Sequence, residues 1–373
     1  MLFLFFKEGL DVEKKWVLAG LHEFPGVGWK TLQQIVAYDE DWEHAIEFTA
    51  ADWRERGLGP ELSLRLSERF TRDWIEAQLE QYDGKGIQVI TRLDLEYPIL
   101  MKETAQPPWV LYALGDTRLL NGLSVAMVGT RTPTAYGRKV GAALAGELCA
   151  LGITIVSGMA RGIDGVCHEA ALQAGGTTIA VLGTAIDVAY PPEHVSMYRR
   201  IAEQGLVISE YPIGTPGHPG MFPQRNRIIA GIAHGTVVVE ADARSGSLIT
   251  ADKALEENRD LFAVPGPITS PKSRGTLWLL KQGAKIVTEA KDIWEDYEAF
   301  LPAAKETKKE AVTGNKLTDE ERRIYHMLEQ GITSFDDLLV QTGWDFGLLH
   351  SVLLSLIMKK TAVQLPGSVY QLI

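Results

Sequence analysis

Three glycine-bearing turns carry cations and hydroxyl groups with which this chain could bind phosphate. They are GTRTPTAYGR from Gly129, SGMARGID from Ser157 and FPQRNRIIAG from Phe222, and each follows a strand-like run and precedes a helical pattern. Backbone N–H groups at such turns and at helix N-termini bind anions, and a guanidinium pairs with phosphate oxygens. Because loops at the carboxyl ends of strands in an open α/β sheet converge on one crevice, the turns predict a single phosphate-binding site.

The turns hold more arginine than one mononucleotide usually needs. The arginines are Arg131, Arg161, Arg225 and Arg227. Their number favours a ligand with consecutive phosphates, such as a nucleic-acid strand. Phe222 favours a single strand, because unpaired bases stack on aromatic rings while arginines follow the backbone. Burial of Phe222 beneath its own loop is the alternative.

The same turns, together with SGSLITA from Ser245 and AVPG from Ala263, resemble the signature of the DNA-processing protein A (DprA/Smf) family. Several motifs in one order are a more specific match than a single glycine-rich turn. The resemblance implies a single-stranded DNA-binding protein of DNA uptake and natural transformation, which protects incoming DNA and loads the RecA recombinase. It also implies a homodimer that forms through the central domain.

The predicted DNA and phosphate site draws on all of these segments. The binding role of the family's FP-x-RN segment carries over by resemblance to Phe222, Arg225, Asn226 and Arg227. A family arginine that commonly follows Thr-Ala is replaced here by Asp252 and Lys253. The predicted site residues are Gly129, Thr130, Arg131, Ser157, Gly158, Arg161, Gly162, Phe222, Arg225, Asn226, Arg227, Ser245, Gly246 and Ser247.

Motifs that would carry catalysis are missing from the sequence. It has no H-E-x-x-H, no cysteine cluster, no G-x-S-x-G, no G-x-x-x-x-G-K-[ST] and no G-x-G-x-x-G after the first central strand. We therefore expect no catalytic residue, metal or cofactor, and we interpret Asp164 as a helix N-cap and His168 as structural. The alternative is a phosphoribohydrolase-like enzyme that processes a nucleotide or sugar phosphate in the same crevice, with Glu240 as general acid or base.

Composition places any nucleic-acid contact in a limited region. The net charge of −11 argues against a protein that coats nucleic acid indiscriminately, so DNA contacts should be confined to the crevice.

No apolar run approaches the roughly 20 residues of a membrane span. The apolar residues 1–6 follow no basic segment and precede no cleavage site. We expect a cytoplasmic protein with no membrane partner.

Strand and helix patterns alternate through the middle of the chain. Apolar runs predict strands at 125–128, 154–157, 178–182, 206–209, 237–240 and 261–264, with helices from about Ala135, Ile163, Val195, Arg227 and Leu248. This alternation predicts an α/β fold with a doubly wound, mostly parallel Rossmann-like sheet. Runs at 87–91 and 109–114 are expected to add strands at its edge.

Different patterns flank this central domain, which we place at 79–298. Residues 1–78 predict a helical domain of the helix-hairpin-helix or SAM-like kind. Its Pro25-Gly26-Val27-Gly28 turn either contacts a DNA phosphate or simply joins two packed helices. The polar, lysine- and glutamate-rich residues 299–315 are typical of a linker.

Residues 316–373 predict a winged helix. Helices should begin after Thr318, Ser334 and Asp345, and a hairpin should turn at Pro366-Gly367-Ser368. The third helix has few cations before Lys359 and Lys360, so it is poorly charged for a DNA groove. We expect this module to bind protein or to pack on the core.

Overall fold

A computed structural model describes residues 13–300, 318–329, 333–359, 361–365 and 369–372. The chain divides into two compact units, one up to Leu301 and one from Pro302. The predictions made for residues 1–6, for the linker from residue 301 and for the Pro366-Gly367-Ser368 turn lie outside the described residues. The predicted domain boundaries stay predictions.

Helices come first in the first unit, as the sequence predicts. They are α1 (Lys14–Glu23), α2 (Trp29–Tyr38), α3 (Ala50–Glu55), α4 (Pro60–Arg69) and α5 (Arg72–Asp83). Aromatic side chains such as Trp53 and Phe70 fill their core. Tyr82 of α5 stacks on Tyr112, with ring centroids 4.9 Å apart. Because Tyr112 belongs to the sheet, the helical region packs directly on it.

A mostly parallel sheet follows. Within residues 13–300 it has nine strands, β1 (Gln88–Thr91), β2 (Val110–Gly115), β3 (Ser124–Val128), β4 (Thr154–Ser157), β5 (Thr178–Val181), β6 (Leu206–Ser209), β7 (Gly235–Val238), β8 (Asp260–Ala263) and β9 (Lys285–Ile286). Their order is β1-β2-β6-β5-β4-β3-β7-β8-β9. Strand β2 runs antiparallel to both of its neighbours, β1 and β6, and every other neighbouring pair is parallel. The doubly wound α/β prediction is confirmed, and the switch point lies between β3 and β7.

Helices cover both faces of the sheet. They are α6 (Ile99–Lys102), α7 (Ala135–Ala150), α8 (Ile163–Gln173), α9 (Val195–Gln204), α10 (Met221–Ile232), α11 (Ser247–Glu256), α12 (Arg274–Lys281) and α13 (Lys291–Trp294). Alternate residues of β3 face the two layers, since Met127 packs with α7 and α8 while Val128 packs with α10 and α11. Among the described residues, no helix combines the length and apolarity that crossing a bilayer requires.

Two local predictions are wrong. Residues 222–226 do not form a loop, because α10 already begins at Met221 and contains the whole segment. Pro223 lies in the first turn, where a missing N–H costs no helical hydrogen bond. The residue that caps α8 is Gly162, with φ of 83°, and not Asp164. A side chain is disfavoured at such a φ, and Asp164 instead lies in the first turn of the helix.

The second unit has the predicted helices and strands of a winged helix. Its helices are α14 (Asp319–Leu328), α15 (Phe335–Thr342) and α16 (Phe346–Met358), with the short strands β10 (Thr333–Ser334), β11 (Ala362–Leu365) and β12 (Val369–Leu372). The predicted caps Thr318, Ser334 and Asp345 each accept a backbone hydrogen bond from the first turn of their helix.

One buried carboxylate joins α14 to α16. Glu321 accepts hydrogen bonds from Thr318 N (2.7 Å), Ser355 Oγ (2.6 Å) and Lys359 Nζ (2.6 Å). Burial by itself raises the pKa of Glu321. The hydrogen bonds from Lys359, Ser355 and the Thr318 amide together lower it by more, so the pKa lies below the ordinary 4.5. The stabilisation that ionised Glu321 gives this unit is therefore complete above the unfolded-state pKa of the carboxyl. It is lost as pH falls through the lower folded-state pKa.

Glu321→Gln should reduce the free energy of unfolding of this unit by about 1–3 kcal/mol at neutral pH, because Lys359 loses its ionic partner. The difference from the unsubstituted chain should shrink below pH 4.5. Hydrogen exchange of the α16 amides in the full chain measures this. The control is Glu329→Gln, which removes a carboxylate about half exposed. Equal effects of the two substitutions would contradict the assignment.

Candidate nucleic-acid interface

A cavity of about 500 Å³ lies at the carboxyl ends of β3 and β7. Each predicted turn contributes to it, and so does the start of α11. We call this cavity the crevice, and its lining includes Gly129, Thr130, Arg131, Ala160, Asp164, Phe222, Arg225, Asn226, Asp242, Arg244, Ser245, Gly246, Ser247 and Lys272. The convergence predicted for the three turns is therefore present in the structure.

Glu240 holds the two sides of the switch point together. Its carbonyl accepts from Thr130 N (2.7 Å), and its carboxylate accepts from Thr134 N (2.8 Å) and Thr134 Oγ1 (2.7 Å). Thr134 in turn caps α7 by accepting from Gly137 N. Glu240 is 3% exposed. Both carboxylate oxygens thus serve the loop, which does not favour the general acid or base of the alternative enzyme.

Arg225 is buried beneath the crevice. Its Nη1 donates to the carbonyl of Gly158 (2.6 Å) and to that of Val181, so it ties the ends of β4 and β5 to α10. Burial lowers the pKa of Arg225 to about 10. A Cβ on Gly158 would lie 2.7 Å from the guanidinium, so this close approach requires glycine. The guanidinium that the sequence assigns to phosphate therefore supports the turns from within.

Several other predicted residues are also engaged elsewhere. The Ser157 hydroxyl is fully buried and donates to Met127 O at 2.6 Å, so it cannot take part in a phosphate cradle. Arg227 donates to both oxygens of Glu210, at 2.6 and 2.5 Å, outside the crevice. A backbone carbonyl therefore holds the Ser157 hydroxyl, and the Glu210 carboxylate holds the Arg227 guanidinium.

The second turn contributes at the margin of the crevice. Gly158 and Arg161 line a small groove beside it, together with Arg131 and Phe222. Arg161 forms an exposed ion pair with Glu193 and lowers the pKa of that carboxyl to about 2. Exposed pairs contribute little and exchange readily, so Arg161 can still meet a phosphate.

Phe222 is half-buried and lies against Tyr190, with ring centroids 5.2 Å apart. It lines both the crevice and the small groove. The full burial that the sequence left open as an alternative is therefore not observed, and part of the ring stays accessible. A partly exposed aromatic face beside cations is suited to stacking of an unpaired base.

Lys272 is a crevice cation that sequence analysis missed. Its Nζ donates to Thr132 Oγ1 (2.7 Å) and lies 3.4 Å from Thr130 Oγ1. Arg131 lies beside it on the first turn, is exposed, and makes no hydrogen bond or salt bridge within the described residues. Lys272 follows β8, beyond the AVPG motif, and nothing in its local pattern indicates that its turn reaches back to β3.

The fold and the crevice define the class of protein: a doubly wound α/β protein with an open crevice at its switch point. The family model of the DNA recombination-mediator protein A matches residues 88–298, and that of the DprA winged helix domain matches residues 308–368. The chain belongs to the DNA recombination-mediator protein A family, also called DprA or Smf, as the motifs predict.

Relatives support this assignment. The DNA processing protein DprA of Bacillus subtilis is 43% identical over 261 residues, which cover 65% of this chain and 88% of the relative. Protein Smf of Escherichia coli is 42% identical over 252 residues, which cover 66% of this chain and 67% of that protein.

Solved structures agree with the sequence comparison. The X-ray structure of DprA from Streptococcus pneumoniae aligns with a TM-score of 0.67 and 33% identity, covering 77% of this chain and 99% of that one. A structure concerned with the single-stranded DNA binding mode of DNA processing protein A from Helicobacter pylori aligns with a TM-score of 0.52 and 32% identity, covering 57% and 96%.

The two arginines of the crevice should differ in their effect on stability. Arg225→Gln should lower the free energy of unfolding of the first unit by about 2–4 kcal/mol, because it leaves buried carbonyls without their donor. Arg131→Gln should change it by less than about 0.5 kcal/mol, since Arg131 is exposed and unpaired. Urea unfolding followed by tryptophan fluorescence measures both. Similar losses for the two variants would contradict a supporting role for Arg225.

Proposed function

We propose that this protein binds single-stranded DNA in the crevice, protects incoming DNA during natural transformation and passes it to the RecA recombinase. The observation that carries the proposal is the meeting of Arg131, Lys272 and the half-buried Phe222 in one cavity at the switch point. Cations there follow the phosphates while bases stack on the ring. The single-stranded DNA binding described for the Helicobacter pylori relative supports it.

Charge around the crevice supports a local DNA site in an acidic protein. Arg131, Arg244 and Lys272 line it with two acids, Asp164 and Asp242. Asp164 accepts from Ala160 N at 3.3 Å and Asp242 from Ala243 N at 2.6 Å, so both carboxylates are engaged by backbone. Acidic surface farther away is screened beyond about 8–10 Å at physiological salt. The crevice can therefore attract phosphates despite the net charge of −11.

The binding residues of this proposal come from the predicted set and from Lys272. In this proposal the exposed and half-buried residues that line the crevice contact the strand. The buried Arg225 and Ser157 hold those residues in position. The contacting group is Gly129, Arg131, Phe222, Asn226, Ser245, Gly246 and Lys272. Thr130 and Ser247 are more buried and complete its walls. The protein acts as a mediator rather than an enzyme in this proposal, and it works in the cytoplasm.

Self-association through the central domain completes the proposal. After β8 the chain exposes large apolar side chains, with Ile268 85% and Trp278 50% exposed. Exposed apolar groups of this size are typical of protein interfaces. A homodimer would place two crevices in one particle, which suits a protein that covers a strand before RecA does.

Binding of labelled oligodeoxythymidine, followed by fluorescence anisotropy across a salt series, tests the DNA proposal. The protein should prefer the single strand to a duplex of equal length. Arg131→Gln and Lys272→Gln should each weaken binding and reduce the salt slope by about one, because each removes one phosphate contact. Lys291→Gln, an exposed lysine outside the crevice, serves as the control. No strand preference, or a slope unaltered by the crevice variants, would refute the proposal.

Removal of residues 316–373 should leave oligonucleotide affinity unchanged within error. Helix α16 reads FGLLHSVLLSLIM and so contains no lysine or arginine for a phosphate. The same anisotropy titration measures the effect. A large loss of affinity on deletion would show that the winged helix binds DNA.

A further inference from the structure

A second and larger cavity lies beside the crevice within the first unit. Its volume is about 1170 Å³. One wall is the Gly26–Gly28 turn with the start of α2, and the other is formed by residues 210–216 and the first turn of α10. Pro223 and Ile249 line both this cavity and the crevice, so the two are adjacent. We call it the side cavity.

The charge of the side cavity favours an anionic ligand. Lys30 and Lys253 line it, and the only ion pair of either within the described residues is the exposed one between Lys253 and Glu256. Such a pair contributes little and can be exchanged for a phosphate contact. The acids of the lining have fixed internal partners. Glu23 accepts from the Tyr112 hydroxyl at 2.6 Å and from that of Tyr82, and Glu210 is bound by Arg227.

An indole ring gives the side cavity a surface for a base. Trp29 is only half-buried and lines the cavity. Two hydrogen bonds hold it in place, Trp29 Nε1 to Pro107 O (2.8 Å) and Trp109 Nε1 to Trp29 O (3.0 Å). A ring held rigid in this way loses little freedom when a base stacks on it.

We propose that the side cavity binds further nucleotides of the strand that occupies the crevice. This inference depends on the proposed function. The strand passes over Pro223 and Ile249, its next phosphates contact Lys30 and Lys253, and a base stacks on Trp29. The cavity is larger than the roughly 300–1,000 Å³ typical of small-molecule sites, which suits a chain-like ligand.

Oligodeoxythymidines of two lengths test this proposal on the full chain. One is short, about 4 nucleotides, and one is long, about 16 nucleotides, within the range of single-strand site sizes. The double variant Lys30→Gln/Lys253→Gln should weaken binding of the long oligomer by roughly tenfold and reduce its salt slope by about two. It should leave binding of the short oligomer unchanged. Trp29→Leu should also weaken the long oligomer selectively.

Controls separate this inference from the proposed function. Arg131→Gln should weaken both lengths, because the crevice holds the strand in either case. Arg54→Gln removes an exposed cation of the helical region outside the side cavity and should change neither. If the unsubstituted protein binds neither length, the proposed function fails and the inference fails with it. If it binds both, but the double variant has no effect, weakens both equally or matches Arg54→Gln, the inference alone is overturned.

Discussion

The hydrogen bonds that Glu240 makes across the switch point are the constraint on which the site depends. They join the loop after β3 to the end of β7 and orient the cap of α7 through Thr134. Because parallel strands deliver their loops to one edge, fixing this pair of loops fixes where the other turns must meet them. A crevice assembled in this way exists before any ligand arrives, so little ordering cost opposes binding.

The cations of the site divide into two kinds according to burial. Arg225 donates to two carbonyl oxygens and holds the ends of β4 and β5, whereas Arg131 and Lys272 lie at the surface of the crevice. Removing a buried cation leaves buried carbonyl groups without a donor and lowers stability. Removing a surface cation lowers mainly the affinity for an anionic ligand. In the proposed function, arginine therefore supports the fold in one turn and contacts the DNA strand in another.

The sequence predicted the doubly wound sheet, its edge strands and the helix starts of the winged helix, because periodicity and caps are local signals. Convergence of the turns followed from the parallel sheet, because the carboxyl ends of parallel strands share one edge. The burial of Ser157 and Arg225 could not be predicted from the sequence, because their hydrogen-bond partners lie on or beside other strands. The start of α10 was placed too late because Pro223 signals a break as readily as a first turn. Lys272 reaches Thr132 across 140 positions, which no local pattern encodes.

A crystal structure of the full chain with a short oligodeoxythymidine would show directly whether the crevice holds the strand. If the proposed function is correct, phosphate oxygens lie within hydrogen-bonding distance of Arg131 and Lys272, and a thymine base lies against the ring of Phe222. The Arg225 guanidinium should keep its bonds to Gly158 and Val181. A strand bound on another face, with the crevice between β3 and β7 empty, would contradict it.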